Sequence, residues 1–344
     1  MKTPEELKKE VFVKLSQHPK IEAFFKDSLE ERMKIDDGWI ENPLVLILLD
    51  EEFFEHSAIH TLIKAMSNDE KTFNILKRKL NPKDEYDKKI HDVLAELNAY
   101  YHLRKYSFDN IHALQEDNTQ KMPDFAAVLR DERFVFEVKN MRAPIEVCDL
   151  LLVKAEARAN RFPEIYKDIG IFFTPSQKWL EVELNRQETE ISTKKVEDWL
   201  EQTFTKIEYA EVPASGRLEP FNLVSQGLTI ECNLKRRKDL GACCGLKRGV
   251  MVSDPDYQQS VLTPFSKKVR RITCNASLQL LEYDENNVHQ KYVLVNWQKS
   301  SKLEGLVWRG FENDVHKIVK SIDLEVKNRS NDLFIKFLNF DSLP

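Results

Sequence analysis

Two carboxylates and one amine stand close together near the middle of the chain, at Asp124, Glu137 and Lys139. Residues 134–139 alternate aromatic and β-branched side chains with charged ones, which predicts a β-strand. Side chains alternate across a strand, so Glu137 and Lys139 share one face and the apolar residues share the other. Carboxylates and an amine on one face could bind a metal ion and polarise a bound substrate.

The charged tetrad 130–133 predicts a turn, so this strand forms a hairpin with the strand before it. A turn centred between positions 131 and 132 places Asp124 opposite Lys139 and Ala126 opposite Glu137. Directly opposed side chains are about 5 Å apart and diagonal ones about 7–8 Å apart, a span that a divalent cation can bridge. Charged groups at the apolar end of a sheet are costly to desolvate without a compensating ion. We therefore expect the three groups to surround one ion.

Pro123-Asp124, then twelve residues, then Glu137-Val138-Lys139 resembles the motif of the PD-(D/E)xK nuclease superfamily, which includes many restriction endonucleases. The resemblance covers roughly residues 85–140. It implies an α/β fold with a restriction-endonuclease-like core, in which a mixed central sheet is flanked by helices. A helix before the hairpin often supplies a further acidic residue in this superfamily, and Glu96 matches that place.

The resemblance also implies a mechanism. Asp124 and Glu137, with the backbone carbonyl of Val138, would coordinate Mg²⁺ or Mn²⁺, and Glu96 would complete the catalytic set. Lys139 would orient the attacking water, help to deprotonate it, or stabilise the pentacovalent state, and the sequence does not choose among these roles. The expected function is a Mg²⁺-dependent endonuclease acting on DNA, and the resemblance alone suggests bacterial defence or restriction. The alternatives are a non-catalytic nucleic-acid-binding or assembly module and an RNA-directed nuclease.

Short E-x-K matches are weak by themselves, and Glu325-Val326-Lys327 is the main rival because it lies in a possible strand. No Pro-Asp precedes that match within hairpin distance. RecB-like members of the superfamily also have a Q-x-x-x-Y helix after the lysine. Residues 146–166 contain no glutamine, which argues against that subgroup.

The elements around the motif follow from hydrophobic spacing. Residues 1–81 form an N-terminal helical region that ends at Asn81-Pro82, since proline cannot continue a helix. Residues 82–300 form the nuclease-like core with insertions, and 301–344 form a C-terminal extension. Other predicted elements are helices at 85–106, 146–161 and 196–207 and strands at 110–114, 121–129, 169–174, 228–234, 292–297 and 333–337. The core is completed either by helix 146–161 with strand 169–174 or by segment 267–283 with strand 292–297.

Composition excludes several classes of protein. The 344 residues contain 52 Lys+Arg and 57 Asp+Glu, a net charge of −5 that excludes a histone-like basic protein. The 9 glycines form no G-x-G-x-x-G and no phosphate-binding loop. The apolar run 44–49 is too short to span a bilayer, and the N-terminus lacks a signal-peptide pattern. Five cysteines, an odd number, fit a reducing cytoplasm, so we expect a cytoplasmic protein without membrane contact.

The segment 231–271 is basic although the whole chain is acidic. It contains ten Lys and Arg against four Asp and Glu, a local charge of +6, which predicts a surface that contacts phosphates. The expected DNA-contacting residues are Lys235, Arg236, Arg237, Lys267, Lys268, Arg270 and Arg271. Cutting both strands of a duplex with one site per chain favours a homo-oligomer.

Overall fold

The computed structural model describes residues 2–49, 59–66, 68–80, 86–114, 122–141, 146–176, 186–209, 215–223, 227–236, 249–252, 255–283, 287–297, 311–327, 330–338 and 343. Its α-helices are α1 (Pro4–Ser16), α2 (Pro19–Arg32), α3 (Pro43–Leu49), α4 (Ile59–Met66), α5 (Glu70–Lys79), α6 (Tyr86–Lys105), α7 (Glu146–Arg161), α8 (Pro163–Tyr166), α9 (Arg186–Glu208), α10 (Pro255–Glu282) and α11 (Phe311–Lys327), with a 3-10 helix at Asp37–Glu41. Its strands are β1 (Asp109–Ala113), β2 (Phe125–Leu129), β3 (Glu132–Met141), β4 (Ile169–Pro175), β5 (Gly216–Arg217), β6 (Phe221–Leu223), β7 (Leu228–Arg236), β8 (Gly249–Val252), β9 (Val288–Trp297) and β10 (Leu333–Phe337).

The chain divides into two compact units that interleave along the sequence. The first unit contains residues 1–10, 143–265 and 299–311, and the second contains 11–142, 266–298 and 312–344. These units differ from the consecutive segments 1–81, 82–300 and 301–344 expected from the sequence. In particular, β10 of segment 301–344 pairs with β9 in the sheet of the second unit. The sequence alone does not reveal such interleaving, because the spacing of hydrophobic residues predicts single helices and strands and not which strands pair.

The second unit is built on a mixed sheet with the order β1-β2-β3-β9-β10. The pairs β1–β2 and β2–β3 are antiparallel, whereas β3–β9 and β9–β10 are parallel. Parallel neighbours need a crossover connection, and α10 directly precedes β9 while α11 directly precedes β10. Helix α6 packs on β1, β3 and β9. The α/β class with a mixed sheet flanked by helices is thus confirmed.

The pairing of β3 with β9 decides between the two candidate continuations of the core. Lys139 lies beside Val295 in the parallel register, so segment 267–283 with strand 292–297 completes this sheet. Strand β4 belongs to the first unit, where it pairs with β7 and β8. There α9 covers the sheet, and the ring of Trp199 meets Phe173 at a centroid distance of 6.1 Å.

The predicted register of the hairpin is wrong by two residues, because the turn is centred one position earlier than predicted. Phe125 pairs with Phe136, and Ala126 pairs with Val135 rather than with Glu137. The turn is the dipeptide Arg130-Asp131, whose φ angles of 53° and 65° are both left-handed. Two left-handed residues form the type I′ turn that matches strand twist. The sequence signals such turns by Asn-Gly, and Arg-Asp gave no comparable signal.

The corrected register brings the two carboxylates closer together along the hairpin. Continuing the pairing by one step places Asp124 across from Glu137, instead of across from Lys139. The carbonyl of Asp124 still accepts a hydrogen bond from Leu114 N at 3.0 Å, so β1 holds this position too. The backbone of Asp124 is therefore fixed at the point where β2 begins.

An aromatic cluster fills the face of the sheet that alternates with Glu137 and Lys139. The ring of Phe108 meets Phe134 and Phe136 edge-on, both at 5.3 Å between centroids, and Phe136 stacks on Tyr292 at 5.6 Å. All four rings are buried. Burying large aromatic side chains on one face fixes the register of a strand, because a slip of one residue would expose them. This cluster determines which face Glu137 occupies.

Helix α5 belongs to the predicted N-terminal helical region, and local signals explain both of its ends. Asp69 caps the helix by accepting a hydrogen bond from Thr72 N at 3.0 Å, and three basic residues lie in the last turn. The hydroxyl of Thr72 accepts a bond from Ala113 N at 3.0 Å, which attaches α5 to β1. The last residue of the helix, Lys79, is placed beside the sheet by this contact.

No helix in the described part of the chain is long and apolar enough to cross a membrane.

Candidate functional site

Four elements of the second unit bring five charged side chains together. Lys79 ends α5, Glu96 lies on α6, Asp124 precedes β2, and Glu137 and Lys139 lie on β3. The predicted residues Asp124, Glu137, Lys139 and Glu96 are therefore neighbours through hydrogen bonds and ion pairs. Lys79 is the member that the sequence analysis missed.

Lys79 joins two of the carboxylates. Its Nζ lies 2.8 Å from both Oε1 and Oε2 of Glu96 and 3.3 Å from Oδ1 of Asp124. The other oxygen of Asp124, Oδ2, accepts a hydrogen bond from Val138 N at 2.8 Å. One carboxylate thus contacts both the lysine of α5 and the backbone of β3, which ties three elements together.

Glu137 is held from both sides. Its Oε1 accepts a bond from Lys139 Nζ at 2.5 Å, and its Oε2 accepts one from Gln279 Nε2 at 3.2 Å. The same amide nitrogen also lies 3.3 Å from the carbonyl of Met122. Gln279 on α10 therefore connects the strand that holds Glu137 to the segment that holds Asp124.

Burial changes the acidity of two carboxylates. Glu96 and Glu137 are only 7 % and 4 % exposed. Burial and then the charge of Asp124 raise the pKa of Glu96 to about 8, against the opposing charge of Lys79. The same two causes raise the pKa of Glu137 to about 7, against Lys139. Perturbed carboxylates of this kind concentrate at functional sites, although structural ion pairs also produce them.

The two lysines remain cationic. Burial lowers the pKa of Lys79, but the charges of Glu96 and Asp124 outweigh it and hold the pKa above its usual value. In the same way Glu137 outweighs burial and raises the pKa of Lys139. Asp92 on α6 adds a further negative charge that raises the pKa of Glu96 and of Lys139.

The donor set of this cluster fits a hard divalent cation at one place. Mg²⁺ keeps several waters and is typically bound through one or two carboxylates, and Asp124 and Glu137 supply two that face each other across the hairpin. Among the described residues, no three His, Cys, Asp or Glu side chains are arranged to hold a metal by themselves. A site on these two carboxylates, with the carbonyl of Val138 and water, needs no third such side chain.

A chain of amides holds α6 against the strands next to the charged cluster. Asn98 Nδ2 donates to Asn296 Oδ1 at 2.6 Å, Asn296 Nδ2 donates to Asn140 Oδ1 at 3.1 Å, and Asn140 Nδ2 donates to the carbonyl of His91 at 3.2 Å. Asn296 is 4 % exposed. Because buried amide groups need hydrogen-bond partners, these linked amides hold α6, the helix that carries Glu96, in place.

A glutamine with Q-x-x-x-Y spacing lies outside segment 146–166, at Gln279 of α10. Helix α7 (Glu146–Arg161) lies in the first unit, whereas α10 precedes β9 of the sheet in the second unit. Four residues after Gln279 the sequence has Tyr283, so Q-x-x-x-Y spacing does occur after Lys139.

The rival E-x-K match does not lie in a strand. Glu325 lies on α11, half-exposed, and its carboxylate pairs with the guanidinium of Arg270, including Nη2 to Oε1 at 2.9 Å. This arrangement is an ion pair between two helices. It offers no second carboxylate of the kind that Asp124 provides for Glu137.

The predicted DNA-contacting residues divide between the two units. Lys235 and Arg236 are exposed at the end of β7 in the first unit, and the Lys235 ammonium lies 5.1 Å from the centre of the Phe172 ring. Lys267, Arg270 and Arg271 are exposed on α10 in the second unit. Arg237 and the side chain of Lys268 lie outside the described residues.

Comparisons with protein families, with curated proteins and with solved structures give no match to this chain.

Proposed function

We propose that the chain is a Mg²⁺- or Mn²⁺-dependent endonuclease of the PD-(D/E)xK type that hydrolyses phosphodiester bonds in DNA. The observation that supports it most is the meeting of Asp124, Glu137 and Lys139 at the start of a hairpin, with Glu96 beside them. A helix, a hairpin and a crossover helix leading to a parallel strand surround this group. The Q-x-x-x-Y spacing from Gln279 on α10 to Tyr283, the residue after that helix, is consistent with a RecB-like form of that core.

Asp124 and Glu137, with the carbonyl of Val138, would hold the divalent cation. When bound, such a cation lowers the pKa of a coordinated water and neutralises charge that grows on the phosphate. Gln279 holds the second oxygen of Glu137 and so fixes the direction of that carboxylate. Orientation by an outer partner of this kind is a common requirement of metal sites.

Lys139 has three roles open to it, and its charge favours one. Burial lowers the pKa of Lys139, but in the metal-free chain the charge of Glu137 outweighs burial and raises that pKa. A protonated amine cannot accept a proton from water, but it can donate hydrogen bonds to phosphate oxygens and stabilise the pentacovalent state. We therefore assign Lys139 to charge stabilisation.

Plasmid cleavage tests the proposal. Supercoiled plasmid is incubated with the protein and Mg²⁺ or Mn²⁺, with EDTA as the metal-free control, and nicked and linear products are quantified on gels. We expect metal-dependent cleavage that Asp124→Asn and Lys139→Ala each reduce at least about 100-fold. Asp109→Asn and Lys105→Ala change the same residue types at exposed positions and should leave cleavage unchanged. Cleavage that survives both site substitutions would refute the assignment.

The ion pairs also favour a second candidate, a non-catalytic nucleic-acid-binding or assembly module. Lys79 and Lys139 already neutralise most of the cluster, as in a structural ion-pair network. Binding of nucleic acid without cleavage under every metal condition would favour this module. Single-stranded DNA and RNA run in parallel distinguish a DNA nuclease from an RNA-directed one.

A further inference from the structure

Lys79 lies in the charged cluster although it belongs to a helix outside the hairpin unit. It comes from the last residue of α5, 17 positions before Glu96 and 45 positions before Asp124. Its side chain is three-quarters buried, and Glu96 beside it is almost fully buried. A lysine reaches such a place only when its charge is matched, and both oxygens of Glu96 match it here.

The contacts of the Lys79 ammonium are those that a metal ion would otherwise make. Its nitrogen touches two oxygens of one carboxylate and one oxygen of another, all within 3.3 Å. Nucleases with two metal ions need a second cation that shares a carboxylate with the first. In this chain the carboxylate available for sharing is Asp124, and Lys79 already occupies its Oδ1 side.

From this geometry we infer that Lys79 is a resident cation in place of a second metal, so that the site takes one divalent cation per chain. The inference rests on the proposed function, because it presumes that Asp124 and Glu137 hold a metal. Lys79 is a positioning residue in this scheme. It neutralises Glu96 and holds Asp124 Oδ1, and a metal would use the lone pairs that Lys139 and Gln279 leave on the Glu137 oxygens.

The contacts of Lys79 support a single metal. A second divalent cation at Glu96 and Asp124 would have to displace the Lys79 ammonium from both carboxylates. Without Lys79, the Glu96 carboxylate would be freed to bind such a cation in a largely buried place.

Counting bound Mn²⁺ tests the inference without measuring cleavage. The full-length protein is stripped with chelator and titrated with Mn²⁺, and free Mn²⁺ is measured by electron paramagnetic resonance. We expect one Mn²⁺ per wild-type chain, one for Lys79→Arg, and two for Lys79→Gln. Lys77→Gln is the matched control on the same helix, because Lys77 pairs with the exposed Asp27 away from the cluster, and it should bind one.

The outcomes separate this inference from the proposed function. Two Mn²⁺ on the wild-type chain, or one on folded Lys79→Gln, would overturn the inference and leave the nuclease proposal standing. No Mn²⁺ on any chain would overturn both. If Lys79→Gln fails to fold, a crystal structure of wild-type protein with Mn²⁺ decides the matter by anomalous scattering. One Mn²⁺ peak with Lys79 still on Glu96 supports the inference, whereas Lys79 displaced by metal contradicts it.

Discussion

Glu96 and Glu137 are the residues whose ionisation links the site to stability. Their pKa values in the folded chain, about 8 and about 7, lie above the usual 4.5. Between about pH 4.5 and pH 8, these two carboxylates therefore bind more protons in the folded state than in the unfolded chain. The stabilisation from the protonated forms is complete below about pH 4.5 and is lost as the pH rises toward 8.

The first prediction is that the free energy of unfolding, measured in EDTA, falls from pH 5 to pH 8. One pKa unit corresponds to about 1.4 kcal/mol, so the fall should be at least about 1 kcal/mol. Glu96→Gln keeps the size of the side chain and removes its titration, so it should flatten the dependence. Urea unfolding followed by circular dichroism measures the free energy of unfolding at each pH. Glu31→Gln at an exposed position of α2 is the control. A slope in Glu96→Gln equal to that of wild type would contradict the assignment.

The second prediction concerns Gln279, which touches no proposed substrate group and acts through Glu137. Gln279→Leu removes the donor to Glu137 Oε2 and to the Met122 carbonyl. Loss of such an outer partner typically weakens metal affinity or activity by about 10–100-fold. We expect that loss in a calorimetric titration with Mn²⁺, while Asn275→Leu, one turn earlier on the exposed side of α10, leaves affinity unchanged. Equal affinities in the two variants would show that Gln279 does not orient the carboxylate.

At the scale of elements, the spacing of hydrophobic residues predicted the positions of single helices and strands. Helix 146–161 and strand 333–337 have the predicted bounds. The helix predicted at 196–207 begins instead at Arg186. Its first turns lack regularly spaced apolar residues, so hydrophobic spacing did not predict them. Pairing was harder, since the bond from Gln279 to Glu137 joins positions 142 residues apart. Lys79 was missed for the same reason, because nothing in its own helix indicates that carboxylates from two other elements surround it.

The hairpin turn gives the third prediction. Arg130 and Asp131 both adopt left-handed angles, in which ordinary residues are destabilised by about 1–2 kcal/mol each. Arg130→Asn with Asp131→Gly suits the same turn, so it should raise the free energy of unfolding by about 1 kcal/mol without changing Mn²⁺ binding. Asp131→Pro imposes a negative φ and should destabilise the chain. Urea midpoints that do not separate these two variants would contradict the assigned turn type.

At the scale of the whole molecule, the chain is acidic overall, yet the proposed substrate is a polyanion. Exposed basic side chains at 235–236 and at Lys267, Arg270 and Arg271 belong to different units, so each group has to be tested by itself. Within the second group, Arg270 already pairs with Glu325, which leaves Lys267 and Arg271 as the better candidates for phosphate contact. Specific residues, and not net charge, should then govern binding.

The last prediction is that Lys267→Gln with Arg271→Gln makes DNA binding less sensitive to salt. Each phosphate contact contributes about 0.9 to the slope of log affinity against log salt, so loss of two contacts should reduce the slope by about 2. Anisotropy of a labelled duplex, measured in EDTA over a range of NaCl concentrations, gives the slope. Lys20→Gln with Lys34→Gln removes the same charge from exposed positions of the helical region and should change it little. If both pairs reduce the slope equally, the attraction comes from overall charge, and α10 is not the surface that meets the phosphates.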